Sequence, residues 1–90
     1  MSRRIRPVPA YHQSVAALPQ TPEVWAALDA LVRYVRARPE EADLLGDSAA
    51  RVVYTADAVT HPGLRLFYAV DATTIYLLKV EEWDELLGDD

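Results

Sequence analysis

The stretch from Thr21 to Pro39 limits what this chain can fold into more than any other. Val24, Leu28, Leu31 and Val35 recur at the spacing of one helix face, and Trp25 and Val32 widen the stripe. Thr21 suits an N-cap and Pro22 the first helical position, where its missing N–H costs nothing. Glu23 complements the positive end of the helix dipole, and Arg33, Arg36 and Arg38 complement the negative end. Pro39 stops the run. The spacing predicts a helix over 22–38 with one apolar stripe, and such a stripe must be buried against a second layer.

The second layer is legible further on. Residues 51–56, 64–70 and 74–80 are rich in β-branched and aromatic residues and read as strands. Asp71-Ala72-Thr73 is the turn between the last two, and His61-Pro62-Gly63 marks the loop before them. Residues 3–11 carry Pro7 and Pro9, which fit an edge strand. Residues 12–18 make a short helical turn closed by Pro19. A second short helix is expected after Pro39, with Glu40 and Glu41 in its first turn, Leu44 and Leu45 on its buried side and Gly46 as its cap. Residues 81–87 read as an amphipathic helix stopped by Gly88. The expected fold is α+β, in one domain over 1–90. It has an N-terminal strand, one or two helices, a three-stranded antiparallel meander and a short C-terminal helix.

Charge divides the chain. Residues 1–38 hold six arginines against two acids, whereas residues 39–90 hold three bases against twelve acids. Residues 1–6 form a basic arm, expected to be solvated, and 81–90 an acidic tail. Only the arm has the basic character that phosphate contacts demand, so nucleic-acid binding is disfavoured. No apolar run approaches the ~18 residues of a membrane span. The basic start has no apolar stretch behind it, which argues against a secretion signal. These features lead to the expectation of a cytoplasmic protein with no membrane contact.

Several chemistries are excluded. With no cysteine there is no disulfide, zinc–thiolate site or thiol nucleophile. The two histidines, His12 and His61, are too few for a His-rich metal site and read as exposed. Gly46, Gly63 and Gly88 are scattered and form no phosphate loop. Ser14 and Ser48 lie in no nucleophile motif. Glu40/Glu41 and Glu81/Glu82 are adjacent, so on a helix they point apart. The acidic half lacks the calcium-loop pattern. Neither a metal nor a cofactor is expected.

Alternation sorts the strand residues into two faces. Val52, Tyr54, Ala56, Leu64, Leu66, Tyr68, Val70, Tyr76, Leu78 and Val80 are expected to meet the helix stripe. The other parity holds Arg51, Val53, Thr55, Arg65, Phe67, Ala69, Ile75, Leu77 and Lys79, an apolar centre fringed by bases. Such a face suits an amphipathic acidic segment of a partner. The alternative is cover from the N-terminal arm, or from the C-terminal helix with Trp83 as a plug. The expected partner-binding residues are Arg51, Val53, Arg65, Phe67, Ile75, Leu77 and Lys79. Arg65 and Lys79 are the one plausible phosphate-facing pair, and thus the only catalytic candidates.

The string Leu64-Arg65-Leu66-Phe67-Tyr68-Ala69-Val70-Asp71, followed by Thr74-Ile75-Tyr76-Leu77-Leu78-Lys79-Val80, resembles the final hairpin of RelE/ParE-superfamily toxins. His12 to Pro19 is similar to the family's first helix segment, and Thr21 to Pro39 to its long helix. The resemblance covers roughly residues 5–84. It implies a toxin of a toxin–antitoxin pair, acting on messenger RNA at the ribosome or on DNA gyrase and held inactive by an antitoxin. It places Arg65 where the ribonucleases have a phosphate-contacting arginine, and Tyr68 in the core. Beyond the last strand those ribonucleases carry a basic cluster and a tyrosine. Here the stretch is Glu81-Glu82-Trp83-Asp84-Glu85-Leu86-Leu87. The expectation is therefore a divergent toxin acting through protein contact, with an antitoxin-like partner on the Arg65/Phe67 face. The alternatives are a ribosome-dependent ribonuclease and a non-toxic homodimeric interaction domain.

Overall fold

A computed structural model describes residues 3–42, 44, 46, 48–55 and 63–83. The elements in order are β1 (Arg4–Pro7), α1 (Pro9–Ala16), α2 (Pro22–Ala37), β2 (Ala50–Tyr54), β3 (Gly63–Val70) and β4 (Thr74–Trp83). The fold is α+β, two helices on a four-stranded mixed sheet of order β1-β4-β3-β2. β2 pairs with β3 and β3 with β4, both antiparallel, while β1 runs parallel to β4 at the edge.

Helix α2 forms as its sequence dictates. Thr21 Oγ1 accepts from Val24 N at 3.2 Å, Pro22 opens the first turn, and Val24, Leu28, Leu31 and Val35 are all buried. Trp25 is the exception, because it lies outside the buried stripe and stays 46% exposed. Pro9 does not extend the first strand. It takes the first turn of α1, and the edge strand ends at Pro7.

The stripe of α2 shares one core with Val53, Leu64, Leu66, Tyr68, Ile75, Leu77 and Val80; α2 lies against β2 and β3 and α1 against β4, and Tyr11 and Leu18 join the same core. Burying each such side chain fully contributes about 1.5–3 kcal/mol. The expected alternation holds along β3 but not along its neighbours. In β2 it is Val53, not Val52 or Tyr54, that faces inward, set by its register opposite Leu66. In β4 the inward residues are Ile75 and Leu77, then Val80, because the register slips between Phe67 and Tyr68. Leu77 opposes Tyr68 and Lys79 opposes Phe67, leaving Leu78 as the extra residue of a β-bulge.

Three further expectations fail for identifiable reasons. The segment after α2 is not a helix over its described residues. Residues 39–42 turn, held by Tyr68 Oη donating to Pro39 O at 2.8 Å and by Arg51 Nη1 donating to Glu40 O and Ala42 O. Leu44 instead makes an antiparallel bridge to Arg51. Glu81, Glu82 and Trp83 are strand, since β4 continues to pair with β3 as far as Gly63. The rest of the expected C-terminal helix, like His61, Pro62 and Leu45, lies outside the described residues. The basic arm is no free arm: Arg4 to Pro7 pair with Thr74 to Leu77, and Arg3 donates to Asp71 O at 2.8 Å. No helix among the described residues is long and apolar enough to cross a membrane.

Candidate functional site

The outer face of the sheet is built by pairing. Phe67 lies opposite both Val52 and Lys79, and Arg65 opposite both Tyr54 and Glu81. Directly paired residues project to the same face, so these six side chains share the face away from α2. β1 adds Arg4 and Arg6, beside Thr74 and Tyr76. The bulge is what completes the cluster. Leu77 points inward, so strict alternation would turn Lys79 and Glu81 inward and Val80 outward. The extra residue reverses this, sending Lys79 and Glu81 out to Phe67 and Arg65 while Val80 enters the core.

The geometry of the cluster is specific. Arg65 Nε donates to Glu81 Oε1 at 2.7 Å, and Lys79 Nζ lies 3.8 Å from Glu81 Oε2. The guanidinium carbon of Arg65 is 5.8 Å from the Phe67 ring centroid and Lys79 Nζ is 5.0 Å from it, both within cation–π range. Phe67 is half-buried beneath them. Arg4 and Arg6 are exposed and make no ion pair among the described residues. At the end of the face Asp71 holds the β3–β4 turn, its Oδ1 accepting from Thr73 N at 2.9 Å and Thr74 N at 2.7 Å. Tyr76 Oη donates to Asp71 Oδ2 at 3.1 Å. The Thr73 amide, with those of Thr74 and the Tyr76 hydroxyl behind it, holds the Asp71 carboxyl below its ordinary value.

Of the seven expected partner-binding residues, the structure brings together Arg65, Phe67 and Lys79. It places the other four on the inner side. Val53, Ile75 and Leu77 are core, turned there by the β2 register and by the bulge. Arg51 projects beside Tyr68, where it holds the carbonyls of Glu40 and Ala42. The Tyr68 hydroxyl is raised above its ordinary pKa, chiefly by burial. The described residues of the N-terminal arm do not cover the outer face, since β1 extends the sheet sideways. Sequence alternation missed Tyr76, Val52 and Tyr54 as outer residues. Arg4 and Arg6, expected in a solvated arm, were missed as well; the signal that places them is that they flank the apolar Ile5 in an edge strand.

Chemically the face can bind anions and apolar groups. Its two candidate catalytic cations, Arg65 and Lys79, are both engaged by Glu81. His12 sits exposed on α1, its ring edge-on to Tyr11, and is not on this face. Among the described residues no group of three His, Cys, Asp or Glu side chains could hold a metal ion. Comparison of the chain with family models, with curated proteins and with solved structures returns no match.

Proposed function

We propose that this protein is a divergent RelE/ParE-like toxin component of a type II toxin–antitoxin system, acting in the cytoplasm through protein contact. In this reading an antitoxin segment lies across the outer face and neutralises it. The succession of one strand, two helices and three sequentially paired strands supports the reading. The observation that carries it is the Phe67 cluster, an apolar ring under two cations on a face that no described element overlies. No histidine lies on this face among the described residues to move protons for attack by a 2′-hydroxyl, which favours protein contact over RNA cleavage.

The test is expression of the chain alone and together with the product of the adjacent reading frame, scored by growth. Arrest relieved by the neighbour, and no longer relieved when Phe67→Asp is introduced, is the expected result. Absence of arrest would favour the homodimeric interaction domain. Cleavage of messenger RNA in a translating extract, abolished by Arg65→Ala, would replace protein contact with the ribonuclease reading.

A further inference from the structure

The outer face carries its own acid. Glu81 divides its two carboxylate oxygens between two cations, Oε1 on Arg65 at 2.7 Å and Oε2 on Lys79 at 3.8 Å. Both cations also lie over the Phe67 ring. The side chains of Arg65, Lys79 and Glu81 remain 38%, 52% and 35% exposed, so an incoming charged group can reach all three. Pairs this open are screened and exchange partners at little cost. We propose that Glu81 is an internal stand-in ligand. It occupies a site that takes a carboxylate from an acidic, apolar-patterned polypeptide segment, and it is displaced when that segment binds. This rests on the partner reading above and adds the chemistry of the partner and a competitor built into the fold.

Charge complementarity selects the occupant. The face presents Arg4, Arg6, Arg65 and Lys79, while Asp71 is committed to its turn and Glu81 is the remaining acid on it among the described residues. Glu81 itself demonstrates that a carboxylate fits between Arg65 and Lys79. Arg4 and Arg6 alternate along an edge strand, which offers further acids of the segment a second point of attachment. Phe67, Val52, Tyr54 and Tyr76 supply the apolar contact between the two. A single-stranded nucleic acid fits less well. It needs open aromatic faces for its bases, and the Phe67 ring already has two cations over it.

The test is direct binding to the intact chain by titration calorimetry. The probe is a short synthetic peptide with glutamate and leucine at helical spacing. Its glutamine-for-glutamate counterpart and oligouridylate are the comparisons. The acidic peptide is expected to bind in preference to both, more weakly as salt rises. Glu81→Gln is expected to tighten it about three- to tenfold, the scale of two released surface pairs. Glu81→Asp, which keeps the charge but withdraws the carboxylate, should tighten it less, and it decides the matter if thermal unfolding shows Glu81→Gln to be misfolded. Unchanged or weaker binding in the deciding variant would make the cluster a structural salt bridge and overturn the proposal. So would failure of the acidic peptide to bind, or preference for oligouridylate. If growth arrest is still relieved by the neighbour in a Phe67-dependent way, those failures remove the role of Glu81 and leave the partner reading standing.

Discussion

The two faces of the sheet use similar side chains to different ends. The inner face sets Leu64, Leu66, Tyr68 and Ile75 beneath the two helices with no measurable exposure, and each is fixed by neighbours on every side. The outer face sets Phe67 among Arg65, Lys79 and Glu81, and leaves Tyr54 more than half exposed. Inside, the energy comes from removing apolar area from water, and a lost methylene leaves a void. Outside, it comes from exposed charges and half-buried rings, where each contact is weak and replaceable. The first arrangement makes a fold, and the second makes a surface that can exchange its own contacts for those of a partner.

The comparison breaks if inner and outer substitutions cost the same. The largest expected effect is Leu66→Ala, which should destabilise by about 2–5 kcal/mol through lost burial and a residual cavity, read by urea unfolding. Next comes Ser14→Ala. Beyond Leu77 the strand β1 no longer covers the edge of β4, and Val80 N donates instead to Ser14 Oγ at 3.0 Å. Removing that hydroxyl orphans a part-buried amide beside the bulge, at a cost of about 1–3 kcal/mol. Loss of hydrogen-exchange protection at Val80, with the protection of β3 retained, would locate the damage. Full protection at Val80 in Ser14→Ala would show that the bulge needs no support from α1.

The bulge also marks where the sequence stopped being legible. Helix α2 could be read outright, because its stripe, cap and prolines all agree. Strand β3 could be read too, since Arg65 interrupts an otherwise apolar run and fixes the parity. Strand β4 could not. Ile75-Tyr76-Leu77-Leu78 is apolar at every position, so neither parity is preferred locally, and nothing in it announces that Leu78 will be the extra residue. The same is true of Val52-Val53 in β2, where the pairing with Leu66 decides which valine is buried. Three of the seven residues expected on the candidate face, Arg65, Phe67 and Lys79, are therefore outer, while Val53, Ile75, Leu77 and Arg51 are inner. Arg51 was misplaced because its role is to hold backbone carbonyls of a turn, which no strand periodicity encodes.

Phe67→Asp sharpens the contrast from the outer side. The variant should remain folded, with a loss of about 1–2 kcal/mol, well below that of Leu66→Ala, because the ring is only half-buried and the new carboxylate lies beside two cations. Its association with a partner should nonetheless fail. Global unfolding of Phe67→Asp would make the ring part of the core and erase the distinction between the faces. Smaller again is the coupling between Arg65 and Glu81. A double-mutant cycle with Arg65→Gln and Glu81→Gln should return about 0.2–1 kcal/mol and shrink in high salt. A salt-independent coupling several times larger would mean that this pair holds the fold rather than decorating it.

The smallest effect expected lies at the edge of the outer face, at Asp71, and is read by pH. Four donors, led by the Thr73 amide, favour its charged form in the folded chain, so its folded pKa lies below the ordinary carboxylate value of about 4. The sign follows from linkage. The stabilisation is present above the unfolded pKa and is lost as pH falls through the folded one, when protonation removes the acceptor that holds the turn. The carboxylate is solvent-exposed, so the loss is shallow and confined to acid pH. Asp71→Asn keeps an oxygen acceptor for the Thr73 and Thr74 amides but has no charge to titrate. Thermal melts between neutral and strongly acid pH should therefore show wild type and Asp71→Asn converging as the pH drops, wild type being the more stable at neutrality. Parallel curves would mean that the turn is held by backbone geometry alone and that the Asp71 charge contributes nothing to this end of the face.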